Sequence, residues 1–378
     1  MILGDLGAEI VKVGPPAGAE ARQAVKGGGQ RELAHEAINR NKKSVLLNLK
    51  LQAGQTIFRQ LAKGTDVIVE GFRPGVTKRL GIDYETISKR NPRIVYCSVT
   101  GYGQDGLYCD LPGHDINYIS FAGALNLIGE ANRPPVVPLN IIADYGAGGK
   151  DAVIGILSAL LARNQTGQGQ YIDIALTDSV ISLMTETVLE TYFTTGTSIK
   201  RGKHDLGGAY PYYSIYPTKD RKFITIGCLE PWLWTNLCRA IGKEEFIPFS
   251  ITRNRYPRSA DDQKAKEIHN CLEQLFLTRT RDEWFDFLRT KDVPIGKVYS
   301  LDEVFADPQV QHRRMAMEME HPTEGKVRQV GIAIKLSDTP GEVRSFPPVP
   351  GQHTDEILSG LGYGQRRINE LRRQRVVG

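Results

Sequence analysis

No stretch of this 378-residue chain stays apolar for anything near the length of a bilayer span. The opening residues Met1-Ile2-Leu3-Gly4-Asp5-Leu6-Gly7 lack the charged start and apolar core of a secretory leader. Arg375-Val376-Val377-Gly378 is no peroxisomal address of the Ser-Lys-Leu type. Neither membrane insertion nor export is expected. Cysteine is scarce: five residues, at 97, 109, 228, 238 and 271, with no Cys-x-x-Cys. That spread argues against a disulfide framework and a zinc ribbon, and points to a reducing, cytoplasmic setting. No His-Glu-x-x-His appears, so no metal is indicated. Charge is nearly balanced at +5. This suits an anionic small molecule but falls short of the basic stripe of a nucleic-acid protein. Internal repeats and low-complexity tracts are missing as well.

What is present is an ordinary globular composition, 40% hydrophobic and 24% charged, on a chain long enough for two domains. The first half alternates strand and helix signals. Strands are expected at 44–49, 66–69 and 93–99, with helices at 55–63 and 84–90 between them. Crossovers of this length predict a parallel, doubly wound sheet. Residues 151–163 are apolar nearly all round, which predicts a buried helix, and 170–174 a further strand. A polar, basic passage at 194–207 reads as a linker. A smaller α+β unit then spans 208–299, with a strand at 222–227 and helices at 232–241, 262–277 and 280–290. The expected organisation is a large α/β domain from 1–193, completed by a return segment, 300–378.

Two glycine-rich stretches invite a nucleotide reading and fail it. Gly101-x-Gly103-x-x-Gly106 follows a strand, but a dinucleotide fingerprint needs a helix to open there, and Tyr108-Cys109-Asp110-Leu111-Pro112 opens a loop instead. Gly146-Ala147-Gly148-Gly149-Lys150 lacks both the leading glycine and the closing Ser/Thr of a phosphate loop, having Asp144 and Asp151 there.

Four polar residues fall at strand-to-helix junctions, where open α/β sheets build their sites. His114 and Asp115 sit side by side in Gly113-His114-Asp115-Ile116-Asn117-Tyr118. Asp144 precedes three glycines, and Glu230 precedes Pro231. Each has an ordinary alternative. His114 suits a structural loop histidine, Asp115 a cap for a helix beginning at Ile116, Asp144 a cap for the helix after it, and Glu230 a first-turn acid. Among the basic residues, Arg40, Arg73 and Arg79 flank turns where guanidinium forks suit phosphates. Lys42 and Lys78 read as solvated surface.

The ordered motifs Gly4 to Val13, Asn39-Arg40-Asn41-Lys42-Lys43-Ser44, Glu70-Gly71-Phe72-Arg73-Pro74-Gly75-Val76, Gly101 to Gly106 and Gly113 to Tyr118 resemble the class III CoA-transferase (CaiB/BaiF) family. So do Pro138-Leu139-Asn140, Asp144 to Gly149, Gly208 to Tyr213, Glu230-Pro231, Ala306 to Val310 and Gly351-Gln352-His353-Thr354. The likeness is strongest to its α-methylacyl-CoA racemase branch. It implies an interlocked homodimer, with the active site between one subunit's large domain and the other's small domain. In the family's transferases the position of Asp115 is the acyl-accepting nucleophile. The racemases add a His before it, an Asp matching Asp144 and a Glu matching Glu230, and this chain has all three.

The resemblance implies that His114 and Asp144 act as paired bases on opposite faces of a thioester α-carbon. Glu230 supports His114, and the Asp115 N–H faces the enolate oxygen. Arg40, Arg73 and Arg79 are expected to anchor CoA, carried as part of the substrate, with no cofactor required. Two departures stand out: family members carry a strand and loop before the first motif here, and residues 181–187 offer one methionine where racemases tend to have several. An alternative expectation is CoA transfer through Asp115, and another is a CoA-binding homologue with impaired catalysis.

Overall fold

Short strands whose two faces are both apolar need cover on each side, and the first unit of this chain supplies it. A computed structural model describes residues 1–16, 36–250 and 263–378. They divide into two compact units: Met1–Pro112, Tyr145–Leu176 and Glu303–Gly378 form one, Gly113–Asp144 and Thr177–Asp302 the other.

In the first unit β1 (Ile10–Gly14) runs parallel to β2 (Lys42–Leu46), pairing Ile10 with Lys42. Strands β3 (Val67–Glu70), β4 (Val95–Thr100) and β5 (Tyr171–Ala175) make a second parallel sheet in that order. Because side chains alternate along β4, its two faces pack differently. Cys97 and Val99 meet Ala152, Ile156 and Leu160 of the helix Lys150–Thr166. Ile94 and Tyr96 meet Ala62 and Phe58 of the helix Gln52–Lys63, together with Ile87. Helices thus cover both faces, as a doubly wound α/β fold requires. The chain's end packs back on its start: Leu358, Ile368, Leu371, Val376 and Val377 share a core with Val45, Leu47 and Ile57. A hairpin of β9 (Ala316–His321) and β10 (Gly325–Val330) completes this unit.

The second unit is α+β. Strands β6 (Tyr213–Pro217), β7 (Phe223–Gly227) and β8 (Ile295–Lys297) form an antiparallel sheet. The helices Pro231–Ala240, Gln263–Phe276 and Arg281–Leu288 bury Trp234, Leu237, Ile268, Leu272, Phe276 and Trp284 with it. Both tryptophan N–H groups find carbonyls inside, Trp234 at Phe246 (2.9 Å) and Trp284 at Phe276 (2.8 Å), so neither pays the cost of an orphaned donor. The start expected at Asp262 for the middle helix lies outside the described residues.

Three local expectations are corrected. The helix expected to be buried at 151–163 hides only one face in the single chain. Ile154, Leu157 and Leu161 on the other remain 60%, 48% and 65% exposed, because the sheet covers one side of it. Helical structure also starts earlier, at Ile141, as a wide π-type segment Ile141–Gly149 that leads into Lys150–Thr166. The glycines after Asp144 are therefore helical, and Asp144 does not cap the helix. Finally, the helix Asp115–Phe121 begins one residue before the expected Ile116, with His114 at its cap position.

Candidate active site

The turn at Gly101–Gly106 is a loop with left-handed glycines at 103 and 106, and Asp173 of β5 ties it down by accepting the Gln104 N–H at 3.0 Å. No helix follows until Asp115, so no dinucleotide fingerprint forms. At that helix start, Asn117 Oδ1 accepts the His114 N–H (3.1 Å) while the Asn117 N–H donates to the His114 carbonyl (2.8 Å). The reciprocal pair fixes the backbone where orphan N–H groups cluster. Tyr118 adds a hydroxyl bond to the Gly113 carbonyl. His114 itself is exposed.

Asp115 points elsewhere. Its side chain is 2% exposed, and Oδ2 accepts two backbone N–H groups, from Ala143 (2.8 Å) and Asp144 (2.9 Å). It therefore satisfies donors in the first turn of the segment Ile141–Gly149, almost thirty residues away in sequence. Its Oδ1 is buried without a hydrogen-bond partner.

Those two bonds hold Asp144 beside Asp115. The half-buried Asp144 carboxyl titrates above the usual carboxylate range. Burial is the main cause, and the Asp115 charge adds to it. A hydrogen bond from Asn140 Nδ2 (3.4 Å) and the positive charge of protonated His114 act the other way. His114, Asp115 and Asp144 thus form one electrostatic group.

Glu230 does not join them. It is exposed at the cap position before Pro231, and no hydrogen bond or ion pair links it to His114 among the described residues. The three arginines divide as well. Arg73 and Arg79 are exposed beside the short helix Val76–Arg79. Arg40 is 1% exposed: Nε and Nη2 fork onto Asp5 Oδ1 and Oδ2 at 3.1 and 2.7 Å, and Nη1 reaches Gln329 and the Val330 carbonyl. Its donors are committed inside the first unit, which corrects the expectation that it meets a ligand. Lys42, expected on the solvated surface, is half-buried and donates to Asn39 at 2.8 Å; burial, reinforced by nearby Lys12, lowers its pKa.

Two residues were given no role by the sequence reading. Asn117 stands three positions after His114, the spacing of a capping box. Asn140 stands four before Asp144, immediately ahead of the segment Ile141–Gly149, where its amide reaches that carboxyl. Both spacings are legible once the helix starts are known. No cluster of three or more His, Cys, Asp or Glu among the described residues has a metal-holding arrangement.

A family model for CoA-transferase family III matches residues 1–354. The chain belongs to CoA-transferase family III. Human succinyl-CoA:glutarate CoA-transferase is 34% identical over 374 residues, 98% of this chain and 84% of that protein. Human alpha-methylacyl-CoA racemase is 29% identical over 378 residues, covering 100% of this chain and 92% of the relative. A CaiB/BaiF family protein from Brucella suis matches in structure with a TM-score of 0.78 at 28% identity, over 95% of this chain and 93% of that one. Membership makes the chain an enzyme of the family III transferase and racemase group, whose members act on acyl-CoA. No helix among the described residues is long and apolar enough to cross a membrane.

Proposed function

We propose that this family III enzyme is a racemase that interconverts the two configurations of a 2-methylacyl-CoA thioester by 1,1-proton transfer. The observation that carries the reading is the state of Asp144: half-buried, held by burial above the usual carboxylate range, and within the electrostatic reach of His114. A proton donor and a proton acceptor that can both reach one α-carbon are what α-proton exchange needs. His114 removes the α-proton from one face, leaving an enolate, and Asp144 delivers a proton to the other; the reverse direction exchanges their roles. The Asp115 N–H, at the first helical position, donates to the enolate oxygen. Arg73 and Arg79 hold the CoA phosphates. The thioester supplies the acidity, so the reaction calls for no metal or redox cofactor.

The chain works as a homodimer in this reading, with Glu230 of a second copy orienting the His114 imidazole. The exposed Ile154, Leu157 and Leu161 are consistent with a surface covered in that assembly. Solvent deuterium entering the α-position of a 2-methylacyl-CoA, with loss of optical purity, is the expected result. Absence of exchange in folded, CoA-binding protein rules the racemase out.

One observation favours a second reading. Asp115 Oδ1 is buried and unpartnered, and a transferase would use such an oxygen to attack the thioester carbonyl and expel the CoA thiolate, leaving a mixed anhydride. Against it, the same carboxylate is 2% exposed and anchored through Oδ2. Transfer requires an acceptor carboxylate and is trapped by hydroxylamine; proton exchange is indifferent to both.

A further inference from the structure

A single guanidinium in the passage expected to be a linker makes five hydrogen bonds to one loop. Arg201 Nε donates to the carbonyls of Glu130 (3.3 Å) and Arg133 (3.1 Å). Its Nη1 donates to the backbone carbonyl and side-chain oxygen of Asn126 (2.7 and 3.1 Å), and its Nη2 to the Arg133 carbonyl (2.6 Å). Glycines make the approach possible. A Cβ on Gly202, where φ is +63°, would lie 2.5 Å from the Ala131 nitrogen; one on Gly129, where φ is +121°, would lie 3.3 Å from Arg201 Cδ. The loop closes on itself through the Val136 N–H and the Ile128 carbonyl (3.0 Å).

This loop runs straight into the candidate site. None of residues 132–142 is buried, and Val136, Val137, Leu139 and Ile141 are all exposed. Leu139 also holds φ at +61°, a conformation unfavourable for a branched side chain. A segment with so little apolar anchoring opens readily unless polar contacts hold it. Its far end carries Asn140, which donates to the Asp144 carboxyl.

We infer that Arg201 is a positioning residue for Asp144: it staples the loop Asn126–Arg133, so that Asn140 stays against that carboxyl. This rests on the reading of Asp144 as proton donor and acceptor. A planar fork spans several carbonyls at once, which a lysine ammonium does not, so Arg201→Lys should behave like Arg201→Ala.

The test compares wild type with Arg201→Ala, Arg201→Lys and the milder Asn126→Ala, which removes one partner. Amide hydrogen exchange is read by mass spectrometry across 126–144, with strand β4 as the internal control. The variants should exchange faster in 126–144 and not in β4. Their kcat for α-proton exchange should fall roughly 10- to 100-fold, as small displacements of reacting groups do, with KM nearly unchanged. The limb of the pH profile set by Asp144 should move upward, because the Asn140 donor that holds its pKa down is lost. Asn126→Ala should give the same signs in smaller measure. Unaltered exchange in 126–144, or activity lost only in proportion to folded protein with the pH profile in place, overturns the inference. If wild type shows no α-proton exchange, the racemase reading fails, while the amide-exchange comparison still decides whether Arg201 holds the segment.

Discussion

Two charged clusters in this molecule use the same residue types to opposite ends. In the first unit Asp5, Arg40 and Asn41 are all buried. Asp5 takes the Arg40 fork and an Asn41 donor, and Asn41 in turn accepts from the Arg344 and Ser345 N–H groups at 2.7 and 3.0 Å. In the second unit Asp144 is half-buried; its carboxyl accepts a long hydrogen bond from Asn140 and lies in the fields of His114 and Asp115. A saturated cluster ties the chain's start to its return segment. An unsaturated one has acceptor capacity left over, which the proposed reaction would use. Saturation, more than residue type, separates the structural arginine from the candidate catalytic carboxyl.

The sharpest way to break that contrast is His114→Ala. General acid–base groups contribute about 10²- to 10⁴-fold, so solvent deuterium uptake should fall by that order from one enantiomer of a 2-methylacyl-CoA and much less from the other. Thermal stability should barely change, since the side chain is exposed. Equal, mild losses from both enantiomers would remove the two-base assignment.

Arg40→Met tests the other cluster. It leaves the Asp5 carboxylate buried without its fork, which should cost about 3–5 kcal/mol in chemical denaturation. The KM for acyl-CoA of the remaining folded enzyme should hold. Adding Asp5→Leu removes the stranded charge and should recover much of the loss. A raised KM with intact stability would return Arg40 to the ligand.

The contrast also shows what the sequence could carry. Alternation of strand and helix signals was enough for the sheet β3–β4–β5 and its crossovers, because apolar periodicity reports burial directly. The adjacency of His114 and Asp115 was legible for the same local reason. Arg40 was not, because its partner lies 35 residues away and its guanidinium looks identical in sequence whether it meets a phosphate or Asp5. The role of the Asp115 carboxylate was equally hidden: its partners are the N–H groups of Ala143 and Asp144, and backbone donors leave no residue-type signal. The helix Lys150–Thr166 misled because an all-round apolar pattern marks a helix that packs everywhere, whereas one chain supplies cover on one side.

Arg73 and Arg79 refine the comparison from the binding side. Both are exposed. Replacing either by Ala should raise the KM for acyl-CoA by roughly tenfold, about 1.4 kcal/mol, and weaken its salt dependence. The turnover number and the melting temperature should stay put. A collapse of kcat instead would place them at the chemistry.

The smallest effect is the most diagnostic. Asp144 titrates above its unfolded value, so the folded state binds that proton more tightly than the unfolded chain does. Below the unfolded pKa both states are protonated and the group adds no difference. As pH rises from there through the folded pKa, ionisation costs the fold more than the unfolded chain, and above it the penalty is complete. Asp144→Asn removes that penalty. It should leave stability unchanged in acid and raise it slightly at neutral pH, while α-proton exchange collapses. Urea denaturation at two pH values reads the difference, and the partial exposure of the carboxyl keeps it small. A variant destabilised at neutral pH would mean that the charged carboxylate supports the fold, which would move Asp144 into the same class as Asp5.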